Sequence, residues 1–471
     1  MRIYNSTITG SLKIKGDIEA ENYITRTTVT SMTQSFSSGS TIFGDSNDDT
    51  HRFTGSLFIT ASRIDLVDHA TKGTFLGFNA GTGSGAGDNN VGIGYEALVS
   101  PNGAQSIVAI GRGAGKNITK GPQSGVYSIL LGTHANYNNT IGSNVIAIGF
   151  EAGGHSSASQ TNAILIGKSV ASAGGGPTNS VVIGTGAFGS ATGHAQYITV
   201  VGQDAMKGSA STTTGINGSV AIGHQSLYSI TSGLNTAVGY EAGYGLTSGD
   251  GNTLLGYRAA RSATDSVASS VAIGYDAMYS NTDSTGNIAI GYFAMRDGAG
   301  GSSKDYNVAI GYAAMRNASP HISIAIGANA GQFLKNGAVG AIHIGHEAGR
   351  HASGSDNISM GYNALKGTSS APYATGEKNV AIGTQAITAL TSGGSNIAVG
   401  YQAGFLISSG SSNTAMGYQA GYSLGGTSYN VMIGNYAGAL SNTINNRHVY
   451  VGYNSGRYID TGLANVAIGY H

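Results

Sequence analysis

The stretch NVAIGYAAMRN, Asn307–Asn317, reads as a short buried strand that ends at a glycine. It recurs as NIAIGYFAMRD from Asn287, SVAIGYDAMYS from Ser270, NIAVGYQAGFL from Asn396 and NTAMGYQAGYS from Asn413. Aligned on the glycine of the AIG triplet, 23 copies run from Gly77 to Gly469, giving 22 intervals with a mean near 17.8 residues. Most intervals are 16 to 18 residues and the exceptions are 20 to 22, so the variation sits in the linkers.

The columns of the alignment carry the structural reading. The residue before the glycine is Ile, Leu, Val or Met in all 23 copies, and the residue three before it is always Val, Ile or Thr. Such alternation over a β-branched segment argues strand rather than helix. Alanine stands three after the glycine in 19 of 22 complete copies, with Val170, Ser226 and Ser455 as substitutes, which implies a tight corner or a close-packed neighbour. One unit cannot bury its own apolar side, but stacked units build a continuous core and parallel ladders. The expected fold is therefore all-β, a parallel β-solenoid of about 23 repeats over 73–471. At about 4.8 Å per coil it makes a rod on the order of 105 Å long.

Alternation also divides the strand into two faces. The Val/Ile face is expected to fill the core of the coil. The small stripe opposite it, Ala109, Ala147, Ala221, Ala272, Ala289, Ala309, Ala325, Ala381, Ala398 and Ala467, is then expected to pack against another subunit.

Composition narrows the function classes. The chain has 471 residues, 77 of them glycine, and only 10% are charged against roughly a quarter in ordinary globular domains. Lys+Arg and Asp+Glu are 23 each, so no charge excess recommends nucleic acid as a partner. Without cysteine there is no disulfide or thiolate metal site. No apolar run reaches the ~18 residues of a membrane helix, and the start lacks a secretory h-region. Residues 1–72 lack the repeat; TGSLKIKGD from Thr9 and TGSLFITAS from Thr54 suggest a short β-rich segment for attachment and trimer start. Asp45, Asp48 and Asp49 between them lack calcium-loop spacing and read as a solvated turn.

No catalytic, cofactor or metal residue is assigned. Glu96, Glu151, Glu241 and Glu347 share the column two after the glycine, but in distant copies, so no acid–base pair forms and no enzyme is expected. GTGSGAG from Gly81 lacks the strand–turn–helix setting of a nucleotide loop. His343, His346 and His351 are the densest imidazole group and are read as scattered rather than as a metal site. Tyrosine follows the glycine in eleven copies, from Tyr95 to Tyr470, and is expected to stack into a ladder along the coils. Recognition falls to the long linkers near NITKGPQSGVY, GSASTTTGING, DGAGGSSKDY and KGTSSAPYATGEK.

The NVAIGYxA repeat, from Thr74 to His471, resembles the head repeat of trimeric autotransporter adhesins of the YadA type, with a longer period. That resemblance implies a left-handed β-roll assembled as a homotrimer. The GYxAG variants, such as GYQAGFLI, and the leader GSTIFGDSNDDTHRFTGSL look more like tail-fibre and virion structural proteins of tailed phages. They imply a virion fibre assembled in the host cytoplasm, attached through its N-terminal segment to a tail or baseplate protein. Its other expected partner is a host-surface glycan or protein receptor. The alternative is a bacterial adhesin head. The repeat stops at NVAIGYH, before the alanine corner, so its tip is expected to be capped by another protein or to have been continued by a domain since removed.

Overall fold

In the computed structural model of the chain, the described residues are Lys15 and Lys72–His471, except for short linker stretches of which the longest is 209–215. Contacts divide the chain into Met1–Ile64 and Asp65–His471. The expectations for the N-terminal segment, including the strand pair and the acidic cluster, fall outside the described residues.

Each repeat is one coil of a parallel β-solenoid, and the described residues are all-β. Every copy contributes a strand that ends one residue before its glycine, from Thr74–Leu76 to Val466–Ile468. Each strand pairs in parallel with that of the next copy, column on column: Val308 opposite Ile324, Ala309 opposite Ala325, Ile310 opposite Ile326. One extra two-residue strand, Ala195–Gln196, pairs with Pro177–Ile183.

The glycine column follows from this stacking. Gly311 has φ +130°, and a Cβ there would stand 2.7 Å from the carbonyl oxygen of Gly327 in the next coil. That backbone suits only glycine, and the neighbouring carbonyl cannot move without breaking its own ladder. In the last coil nothing lies within 4 Å of the Gly469 position. The corner that follows is equally tight. Ala313 and Met315 both have φ near +50°, and their amides bond in opposite directions along the rod. Ala313 N donates to Tyr292 O at 2.8 Å in the previous coil, and Met315 N to Ala330 O at 3.0 Å in the next. The corner is thus a second hydrogen-bonded ladder.

The two faces of the strand are the reverse of expectation. Ala309 is fully buried and points into the coil, as do Ala109, Ala147, Ala221, Ala272, Ala289, Ala325, Ala381 and Ala398. Val308 and Ile310 point outward and are only partly covered. Ile110, Ile326 and Ile382 are 41%, 37% and 38% exposed. The physical reason is the width of the lumen. A coil of about 18 residues encloses room for a row of small side chains and roughly one large one.

In all but one of the complete coils that large side chain comes from one of three columns. In some coils it sits four after the glycine, as Met278, Met295 and Met315 do. In others that position is glycine and the volume is filled from three residues further on: a Cβ on Gly404 would strike Ile407 Cδ1 at 2.6 Å, and one on Gly421 would strike Leu424 Cδ1 at 2.6 Å. Elsewhere the strand residue itself is large. Tyr450 occupies the space over Gly456, where a Cβ would lie 2.5 Å from its ring, and His343 does the same over Gly349. Close packing of interiors demands that the volume be filled. In the coil of Gly149, where all three positions are small, Gln160 and Leu165 fill it: a Cβ on Gly153 would stand 2.6 Å from Gln160 Oε1 and 3.0 Å from Leu165 Cδ1.

A buried polar ladder runs beside this core, four residues before the glycine. Asn357, Asn379, Asn396, Asn413 and Asn430 are all at most 1% exposed. Asn396 Oδ1 accepts from both the backbone N and Nδ2 of Asn413, each at 3.0 Å, while Asn396 Nδ2 donates to Gly410 O at 2.9 Å and closes its own coil. Each buried amide is satisfied by its neighbours, so the cost of taking the ladder out of water is offset.

Candidate functional site: the outward stripes and a notch between coils

The outward stripes are the candidates for function. The first is the apolar face built by the residues three before and one before the glycine, from Thr74 and Leu76 to Val466 and Ile468. Tyrosine extends it on the next residue. Tyr240, Tyr257, Tyr275 and Tyr292 stack with centroids 4.9 to 5.1 Å apart, and Tyr312 continues the run at 5.5 Å. Tyr401 and Tyr418 stack at 5.1 Å. The tyrosine ladder is as expected, and histidine joins it where it replaces tyrosine: His224 stacks on Tyr240 and His346 on Tyr362.

The second stripe is charged and was missed in the sequence. Carboxylates two after the glycine meet cations five after the glycine of the following coil. Lys116 Nζ lies 2.7 Å from Glu96, and Lys366 Nζ 2.6 Å from Glu347; Arg261 pairs likewise with Glu241. Asp276 is held in a fork by Arg258 at 2.9 Å and is shared with Arg296 at 3.2 Å, whose NH1 bonds Asp297 at 2.9 Å. Three guanidinium groups, of Arg258, Arg296 and Arg261, lie 4.9, 5.5 and 5.9 Å from the Tyr279 ring. Comparing these two columns between adjacent copies, rather than within each, would have revealed the opposite charges. Glu96, Glu241 and Glu347 are thus tied up in ion pairs, while Glu151 accepts a hydrogen bond from Ser169 Oγ at 3.5 Å. Burial pushes the Glu347 carboxyl up, but the Lys366 hydrogen bond and the Arg350 and Lys366 charges hold it below its ordinary range.

The three histidines go to three different places. His343 stands in the inward column where most coils have alanine; it is fully buried, with Nδ1 2.8 Å from Ser359 Oγ, and burial lowers its pKa to about 4. His346 is in the tyrosine column, and His351 stacks on Phe333 at 4.9 Å. Among the described residues no group of three metal-ligating side chains converges. GTGSGAG lies partly outside the described residues, as do the interiors of the four long linkers.

One of those linkers borders a notch. Residues six after the glycine form an aromatic step, Phe333 then His351, and the next coil has Gly367 in that place. A cavity of about 720 Å³ opens there, lined by Phe333, Arg350, His351, Lys366, Gly367, Thr368, Ser369, Tyr373 and Thr388. Tyr373 swings in beside the step, 5.3 Å from Phe333 and 5.5 Å from His351. Burial, with the Arg350 and Lys366 charges, lowers the pKa of His351.

No helix of the described residues is long and apolar enough to cross a membrane. Neither the family models nor the curated proteins compared with the chain match it.

Proposed function

We propose that the protein is a structural fibre, a homotrimeric rod of a tailed-phage virion that reaches toward a host surface. The observation that carries the trimer is the outward apolar face. It repeats at every coil, and over 22 intervals at about 4.8 Å each and ~10 Å width it covers on the order of 1,000 Å². A monomer rarely leaves more than a few hundred Å² of apolar surface contiguous, whereas about 800 Å² per partner is a standard protein interface. Three copies that turn this face to a common axis remove it from water, and in-register coils place Val on Val, Ile on Ile and Tyr beside Tyr. The corrected orientation strengthens the reading, because large β-branched side chains give an axial core more buried area than alanines would.

The virion assignment rests on the resemblance of the GYxAG repeats and the leader to phage fibre sequences, and on the architecture. A rod held by backbone ladders and self-stacked glycines, with a stripe of carboxylates paired to cations of neighbouring coils, suits a spacer that carries recognition on its linkers. Sedimentation of the full chain tests the assembly: a trimer mass that survives mild detergent is expected, and a soluble monomer overturns it. Immunogold labelling of phage particles tests the location, with label along tail fibres expected and none on the particle contradicting it.

A further inference from the structure

We propose that the notch spanning the coils of Gly327, Gly345, Gly361 and Gly383 binds an acidic saccharide, a short oligosaccharide carrying uronic or sialic acid carboxylates. The pocket is made by one chain, so it exists whether or not the chain trimerises. It deepens the host-surface part of the reading above by naming a ligand class.

Three observations converge on that chemistry. The first is an aromatic wall. Phe333, His351 and Tyr373 form a triangular cluster of near-parallel rings in which Phe333 and Tyr373 are partly exposed, offering apolar ring surface against which a sugar's C–H face packs. The second is an excess of positive charge. Arg350 and Lys366 share the single carboxylate of Glu347, at 2.5 and 2.6 Å, and Arg350 Nε also bonds Gln332 at 2.9 Å. Two cations to one carboxylate leave unspent donors on both at the pocket wall. The third is the polar rim. Thr368 and Ser369 bring hydroxyls to the opening, Thr388 lines it with its Oγ1 donated to Gln385 O at 2.9 Å, and His351, only 5% exposed, has a buried Nδ1 without a hydrogen-bond partner. An aromatic platform, a carboxylate anchor and several hydroxyl partners are what a ring with hydroxyls and one acid group requires. The volume of about 720 Å³ falls within the range of small-ligand pockets.

The notch also has a reason to be where it is. Gly367 interrupts the aromatic step, and the interval from Gly361 to Gly383 is 22 residues, the longest in the array. The extra chain supplies Tyr373 and the hydroxyl rim.

Calorimetric titration of the full-length protein with a galacturonic acid trimer and an α2,8-linked sialic acid trimer tests this, with maltotriose and sodium sulfate as controls. Saturable binding of at least one acidic trimer is expected, at least tenfold tighter than maltotriose or sulfate. Tyr373→Ala and Lys366→Met should each weaken it at least tenfold, and Thr388→Trp, which fills the notch, should abolish it, all with unchanged melting. No binding of either acidic trimer overturns the proposal. Equal binding of maltotriose or of sulfate, or binding retained in both Thr388→Trp and Tyr373→Ala, also overturns it. The mass of the same sample is measured in parallel, so a trimer that binds no saccharide defeats this inference and leaves the fibre reading standing.

Discussion

The coils from Val145 to Ile183 and those from Asn357 to Asn430 share one strand, one glycine and one corner, yet they are tied together by different bonds. In the first set the residue four before the glycine is Val145, Ala163 or Ser180, and the backbone ladder runs straight through it: Val145 stands opposite Ala163 and Ala163 opposite Ser180. Strands there reach six and seven residues, as in Thr161–Ile166 and Pro177–Ile183. In the second set the same position is asparagine, its Oδ1 accepts the next coil's amide in place of a carbonyl, and the strands shrink to three residues, as in Ile397–Val399. Serine bridges the two regimes at both ends of the first set, since Val145 N donates to Ser128 Oγ and Ile198 N to Ser180 Oγ, each at 3.1 Å. Strand length therefore reports which atom accepts the amide and not how well the coil is held.

The contrast breaks most visibly if one regime is forced on the other. Asn396→Val installs the residue type of Val145 in the ladder. It strips the Asn413 amide of its acceptor and leaves Gly410 O without its donor. A loss of about 3–5 kcal/mol is expected from these unsatisfied buried groups, against about 1–3 kcal/mol for Val145→Ala, where only apolar contact is lost. Chemical denaturation checks both, and amide exchange at Asn413 should accelerate in the first variant alone.

The glycine column is common to both regimes and serves as the control. A Cβ on Gly400 would meet Gly417 O at 2.5 Å with φ +134°, so Gly400→Ala should cost on the order of 3 kcal/mol. Gly469 has φ +126° but open space around it. Gly469→Ala should therefore cost on the order of 1 kcal/mol. Equal melting shifts would mean that the backbone conformation, and not the stacking, selects glycine.

His343 sharpens the comparison inside the second region, where a polar group sits in the lumen. Its pKa falls from 6.5 to about 4 on folding, because burial disfavours the imidazolium. The unfolded chain then binds the extra proton between those values, so stability is complete above pH 6.5 and is lost as pH falls toward 4. The loss is at most on the order of 3 kcal/mol. Urea midpoints should show this slope in the parent, and His343→Ala should flatten it.

The smallest effect is expected in the stacked ladder. Tyr418 is 40% exposed and stacks on Tyr401. Tyr418→Leu should cost about 1 kcal/mol or less in an isolated chain, the usual worth of one aromatic pair.

Period, strands and corner were legible in the sequence because each repeats 23 or nearly 23 times in fixed columns, and the tyrosine ladder because eleven copies share one column. Which face turns inward was not. Alternation groups Val308 with Ile310 and sets Ala309 apart, but it does not say which side is the lumen, and the ordinary preference of Ile for interiors pointed the wrong way. The signal that decides it lies in compensation between columns: where Gly404 is small, Ile407 is large, and where Met295 is large, Gly298 is small. Only positions that share one closed volume trade size in this way. The notch was half legible. The linker KGTSSAPYATGEK stood out by length, but the convergence of Phe333, His351 and Tyr373 needs the stacking of three coils.

The inside-out arrangement is tested most directly by sedimentation of the double variant Ile290→Asp/Ile310→Asp. Both side chains face outward on adjacent coils. In a single chain the new carboxylates would be solvated, but on a trimer axis they would form two rings of unpaired buried charge, a strongly unfavourable burial. A monomer that keeps its β-sheet circular dichroism is the predicted result. A trimer with unchanged mass, or a chain that no longer folds, would contradict the outward placement of the Val/Ile face at a subunit interface.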